Sequence, residues 1–111
     1  MVEVTIFKTY KHDYVGFDVK GHANPDAESG HDIICAAISM LVINTINSIE
    51  RYTKDQFSLV EDEVAGVIEF RFDSHASHDA ELLLRSMILG LESLEDEYHS
   101  EPFIDIIFEE V

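Results

Sequence analysis

The sequence predicts one α+β domain, a two-layer sandwich with two helices packed on one face of a mixed, largely antiparallel sheet. Period-two alternation of apolar and polar residues fills residues 2–20 and returns at 57–72. Each alternating region is followed by a long stretch of helical period, and a short apolar run follows Pro102. The predicted order is therefore ββαββαβ.

The first strand covers residues 2–10, with Val2, Val4 and Ile6 on one face and Glu3, Thr5 and Thr9 on the other. Lys11, His12 and Asp13 break it, and residues 14–20 alternate again through Val15, Phe17 and Val19. Two such runs across a short polar gap read as a hairpin. Gly21 closes the hairpin and releases a loop over 22–31. The first helix is predicted at 33–51 with Asp32 as its N-cap. Ile34, Ile38, Leu41, Val42 and Ile49 form its main apolar stripe. Ala36, Met40 and Ile43 form a second patch, which calls for cover from the other helix or from a second copy of the chain.

Strands follow at 57–60 and 64–72, joined by the acidic turn Glu61-Asp62-Glu63. Ser74 and Ser77 are candidate caps for a second helix that ends near Glu97. Ala80, Leu83, Leu84, Met87, Leu91 and Leu94 are its core face, with Glu81, Arg85, Glu92 and Asp96 outside. The last strand, 103–108, is almost continuously apolar, which predicts a central or doubly covered position. Nothing in the sequence repeats, and no linker divides it.

A chain of 111 residues with 46% hydrophobic content forms a core without disulfides or metal. Its 23 acids and 7 bases give a net charge of −16. That sign argues against direct nucleic-acid binding, which needs clustered Lys and Arg, and it favours a basic partner. No continuous apolar run approaches the ~18 residues of a membrane span, and the first residues read as a strand and not as a signal peptide. A single cysteine forms no internal disulfide and suits a reducing compartment, so a cytoplasmic location is expected. There is no glycine-rich phosphate loop and no cysteine pair, and no cofactor is expected.

The chemistry concentrates between Gly21 and Ser39. With Asp32 as cap, Cys35 is the third residue of the first helical turn, facing unpaired N–H groups and the positive helix end. Both favour a thiolate. His22 stands across a loop that ends in Gly30, so a cysteine nucleophile with a histidine base is the sharp reading. In the plainer reading Cys35 is a small core residue, His22 is structural and Asp32 only caps the helix. Asp32 would otherwise orient the imidazole. Ser39, four residues on, shares a face with Cys35 and is a substrate-contact candidate. His31 and Cys35 have a spacing that metal sites use, but a closed zinc site needs four ligands and one sulfur is present; no metal is expected. His75 and His78 read as solvated surface.

These residues resemble the ribosomal-processing cysteine protease family, Prp. The family pattern is matched by Gly21-His22-Ala23, then Gly30, then Asp32-Ile33-Ile34-Cys35-Ala36-Ala37-Ile38-Ser39. The segment 24–29 departs from the aromatic-bearing loop of that family. The resemblance implies Cys35 as nucleophile and His22 as general base, with Gly21, Gly30, Asp32 and Ser39 supporting or contacting substrate. It also implies a homodimer, a loop that rearranges around substrate, and removal of an N-terminal extension from a bacterial large-subunit ribosomal protein, number twenty-seven. That extension ends in an aromatic pair followed by lysines. Met40 or the sheet edge is the candidate pocket for the pair. The mechanism implied is acyl-enzyme hydrolysis, with N–H groups at the helix start stabilising the oxyanion. The rival function is a non-catalytic acidic module that binds a basic ribosomal partner.

Overall fold

The computed structural model describes residues 1–21, 29–97 and 103–111, with side chains for all of these except 29–32. Strands β1 (Val2–Lys8) and β2 (Tyr14–Lys20) precede helix α1 (Ser29–Tyr52). Strands β3 (Phe57–Asp62) and β4 (Val67–Phe72) precede helix α2 (His78–Glu97), and β5 (Ile104–Glu110) ends the fold. The order ββαββαβ and the two-layer arrangement are as the sequence predicts.

The strands lie in the order β3-β4-β2-β1-β5. Neighbours are antiparallel except β1 and β5, which run parallel with Val2 opposite Ile104. A parallel pair cannot be closed by a tight turn, so a helix has to carry the chain across between parallel strands. α1 carries it from β2 to β3, and α2 from β4 to β5.

One core joins both layers. Val4, Ile6, Phe17 and Phe70 from the sheet are fully buried against Val42 and Ile49 of α1 and Ala80, Leu84 and Leu91 of α2. Phe70 stacks on Phe17 at 5.0 Å and on Phe57 at 4.7 Å, and meets Phe72 edge-on at 4.9 Å. The helices approach where Leu41 lies against Gly90, a position at which a Cβ would come within 3.0 Å of the leucine. On the opposite sheet face Asp18, only 8% exposed, accepts a 2.8 Å bond from Arg71, which also bonds the Phe17 and Phe70 carbonyls.

Each boundary has a local cause. β1 stops at Lys8, two residues earlier than predicted, because Thr9 turns the chain: its Oγ1 accepts from the Lys11 and Asp13 amides. Glu61 and Asp62 belong to β3, and the turn that follows is tied by the Ala65 amide donating to Asp62 Oδ1 at 3.0 Å. Of the two candidate caps, Ser77 does the work: its Oγ accepts from the Ala80 amide at 3.1 Å, and Asp55 holds it from below.

Two expectations are corrected, and a third loses one of its two alternatives. β5 is an edge strand, with Ile107 42% and Phe108 46% exposed. Its apolar run is an alternation, with Ile104 and Ile106 facing the helices and Asp105 and Glu109 facing away, that Ile107 interrupts. α1 begins at Ser29 and not at Ile33, so Asp32 is the fourth helical residue rather than the cap. The second apolar patch of α1 (Ala36, Met40, Ile43) is not covered by α2 and remains exposed. Between Ile33 and Tyr52, α1 is long and apolar enough to cross a membrane, with a mean hydropathy of 1.7. Ile34, Ile38, Val42, Ile46 and Ile49 of that stretch are instead spent on the core of the fold.

Candidate functional site

The site is assembled from the end of β2, the first half of α1 and the β3–β4 turn. β2 ends in Gly21, whose φ of +97° belongs to a region that side-chain-bearing residues rarely enter. A Cβ there would lie 2.6 Å from the Met1 carbonyl oxygen. The Gly21 amide donates to the Gly66 carbonyl at 2.9 Å, tying the exit of β2 to the β3–β4 turn. Gly66 also has positive φ, +67°, which lets that turn approach.

Cys35 sits on the buried side of α1, half-buried against the core. With Gly21, Ser39, Ile38, Val2 and Ile68 it lines a small cleft of about 50 Å³. Thus Gly21, Cys35 and Ser39, three of the predicted residues, are brought together. Ser39 is exposed at the cleft mouth, one helical turn past Cys35.

A larger groove of about 270 Å³ shares Gly21, Ser39, Val19 and Ile68 with the cleft. It continues along α1 to Ile43 and across to Gly66 and Val67, and Glu61, Asp62 and Glu63 form its rim. Cleft and groove therefore share a wall. Sequence reasoning assigned these acids to a turn and missed their place at the site. Only the strand order, which sets the β3–β4 turn beside α1, puts them there. Met40, the candidate pocket residue, lines neither space and is 69% exposed. The apolar wall is Ile43, one turn of helix further along the correct side.

His22 lies outside the described residues. It follows Gly21 directly in the chain, so the described backbone brings the strand end to the cleft one residue before it. Gly30 and Asp32 are in the first turns of α1 by their backbone, and the Asp32 side chain is also outside the described residues. Cys35 is the seventh residue of the helix, so the first-turn environment expected for its thiol is not the observed one. His75 and His78 are exposed and line neither the cleft nor the groove; His75 stands 3.5 Å from Asp13.

Comparison with known proteins converges on one family. The family model described as cysteine protease Prp matches residues 1–102. The ribosomal processing cysteine protease Prp of Bacillus subtilis is 31% identical over 102 residues, covering 88% of this chain and 90% of its own. Two crystal structures of the essential ribosomal processing protease Prp from S. aureus are similar over 98% of this chain and 100% of theirs. One, in complex with a substrate peptide, has a TM-score of 0.88 at 27% identity. The other, with a covalently linked product peptide, has a TM-score of 0.85 at 28% identity.

Proposed function

The chain belongs to the cysteine protease Prp family and is a cysteine protease, and from that premise we propose that Cys35 and His22 form its catalytic dyad. The carrying observation is that Cys35 shares its cleft with Gly21, whose next residue is His22. In the proposed reaction the Cys35 sulfur attacks the scissile carbonyl while His22 accepts the thiol proton and later delivers it to the leaving amine. Water then hydrolyses the thioester, with His22 again serving as base. Ser39, at the cleft mouth, contacts the substrate backbone or its side chains.

The proposed substrate is a basic bacterial ribosomal protein with an N-terminal extension, number twenty-seven of the large subunit. Two observations support this. The relatives are named as ribosomal processing proteases, and a protein at −16 attracts a basic partner electrostatically. The reaction belongs in the cytoplasm, where ribosomal proteins are made and a lone thiol stays reduced. A homodimer would cover the exposed Ala36 and Met40 on α1.

The test is incubation with a peptide carrying such an extension, read by mass spectrometry beside the Cys35→Ala variant. A single cut after the aromatic pair, absent in the variant, is expected. A cut that persists in Cys35→Ala would refute the nucleophile.

A further inference from the structure

We propose, building on the protease reading above, that Gly66 is a positioning residue for the reaction: it sets the wall shared by the groove and the cleft of Cys35. β2 and β4 pair antiparallel as far as Lys20 opposite Val67. Gly21 and Gly66 therefore stand opposite each other one step further on, a facing pair without side chains. Among the described residues this last rung is held by one bond, the Gly21 amide donating to the Gly66 carbonyl at 2.9 Å. Gly21 lines both the cleft and the groove, and Gly66 lines the groove alone. The rung is thus part of the wall between them.

What Gly66 supplies is a backbone conformation. A residue in an antiparallel ladder has φ near −140°, whereas Gly66 sits at +67° and Gly21 at +97°. Every residue has a carbonyl, but only one that enters the left-handed region delivers it to Gly21 from this position. Glycine does so freely, and asparagine does so more readily than most residues with a Cβ; alanine resists. The turn ahead of Gly66 is itself fixed, since the Ala65 amide donates to Asp62 Oδ1 at 3.0 Å. A change of φ at position 66 is therefore passed on to the bond with Gly21.

The consequence for catalysis lies in orientation, not in grip. A chain in the groove would be gripped by Ile43 of α1 and Ile68 of β4, neither of which takes part in the rung. The rung decides instead where the wall stands relative to Cys35. A misplacement of about 1 Å between reacting groups costs about a hundredfold in rate. Loss of the rung should therefore lower kcat and leave KM nearly unchanged.

Gly66→Ala and Gly66→Asn are compared with wild type on the extension-bearing peptide, at a temperature where all three are fully folded. In Gly66→Ala, kcat should fall about 10–100-fold with KM within about threefold. Gly66→Asn, although bulkier, should keep kcat within about threefold because it keeps the left-handed backbone. Hydrogen exchange of the Gly21 amide should quicken in Gly66→Ala and stay slow in Gly66→Asn, a local signature that a general loss of stability would not confine to one amide. The rate at which iodoacetamide alkylates Cys35 should change in Gly66→Ala alone. Gly66→Ala that retains kcat, or loses less of it than Gly66→Asn, overturns the proposal, because bulk in the groove would then be the whole effect. A rise in KM alone overturns it too. Wild-type protein that leaves the peptide uncut sinks the substrate reading, and exchange and alkylation then decide on Gly66. Both altered in Gly66→Ala alone sustains its role, and any other pattern overturns it.

Discussion

Replacing Gly21 by alanine should cost stability and activity by separable routes. A φ of +97° is costly for any residue with a Cβ, at about 1–3 kcal/mol for a strained backbone. The added carbon would also meet the Met1 carbonyl oxygen at 2.6 Å, well inside contact distance. That oxygen is backbone at the start of β1, so relief requires the β1–β2 ladder to open at this end. Opening it strains the 2.9 Å bond from the Gly21 amide to Gly66. The sum is about 2–4 kcal/mol, a large part of the ~5–15 kcal/mol that holds a domain folded. With a urea m-value of ~2 kcal/mol/M, the unfolding midpoint should drop by about 1–2 M at unchanged slope. Peptide cleavage, measured where the variant is still fully folded, should fall further, because Gly21 lines the cleft that holds Cys35. A midpoint within about 0.3 M of wild type would refute the reasoning, showing that the strand end relaxes at no cost.

Three further outcomes follow from the same structure. Phe70→Ala removes the ring that Phe17, Phe57 and Phe72 all contact, and should cost about 3–5 kcal/mol in denaturant unfolding. Burial is the largest single influence on Asp55 and pushes its carboxyl up. The bonds from the Ser77 hydroxyl and amide, with those from Thr53 and its own amide, together outweigh it and hold its pKa below 3.8. A depressed carboxyl stabilises the fold above the unfolded value and loses that contribution as pH falls through the folded one. Asp55→Asn should therefore cost about 1 kcal/mol at neutral pH and flatten the loss of stability below about pH 4, as read by thermal melts across pH. His22→Ala should return Cys35 to the alkylation rate of an ordinary thiol of pKa ~8.5, measured with iodoacetamide between pH 6 and 9. Equal rate profiles in wild type and variant would count against His22 as the partner of the thiol.

The element order was legible because every strand and helix carries its own period. Val2, Val4 and Ile6 alternate, and Ala80, Leu84, Met87 and Leu91 recur at helical spacing. What was not legible was set by contacts between elements. An apolar run such as Ile104–Phe108 has the same local signature in the middle of a sheet as at its edge, and only pairing decides. Thr45 is a second case: a polar residue on the core side of α1 is tolerated because its hydroxyl donates to the Leu41 carbonyl at 2.7 Å. Within the site, Gly21, Cys35 and Ser39 could be named from the sequence because their motif is compact. The acids of the groove could not, since 22 residues separate Ser39 from Glu61 and only the fold closes that gap.

The start of α1 changes where the activation of the thiol must come from. With Asp32 as cap, Cys35 would draw on unpaired amides and the helix dipole. With α1 beginning at Ser29, Cys35 lies six residues in, about 9 Å along the axis at 1.5 Å per residue. Its amide is past the four that a helix leaves unbonded, and the dipole's influence is confined to the first turn. The nearby Gly21 amide is already engaged by Gly66, so it is not a ready oxyanion donor either. A core helix of this kind positions a nucleophile rigidly, through Ile34, Ile38 and Val42, but does little to ionise it. Under the proposed mechanism, ionisation and charge stabilisation therefore fall to groups that arrive at the cleft from outside the helix, His22 first among them. That proposal thus divides the work between a nucleophile fixed by the core and a base from another part of the chain, and the alkylation profile of His22→Ala tests the division.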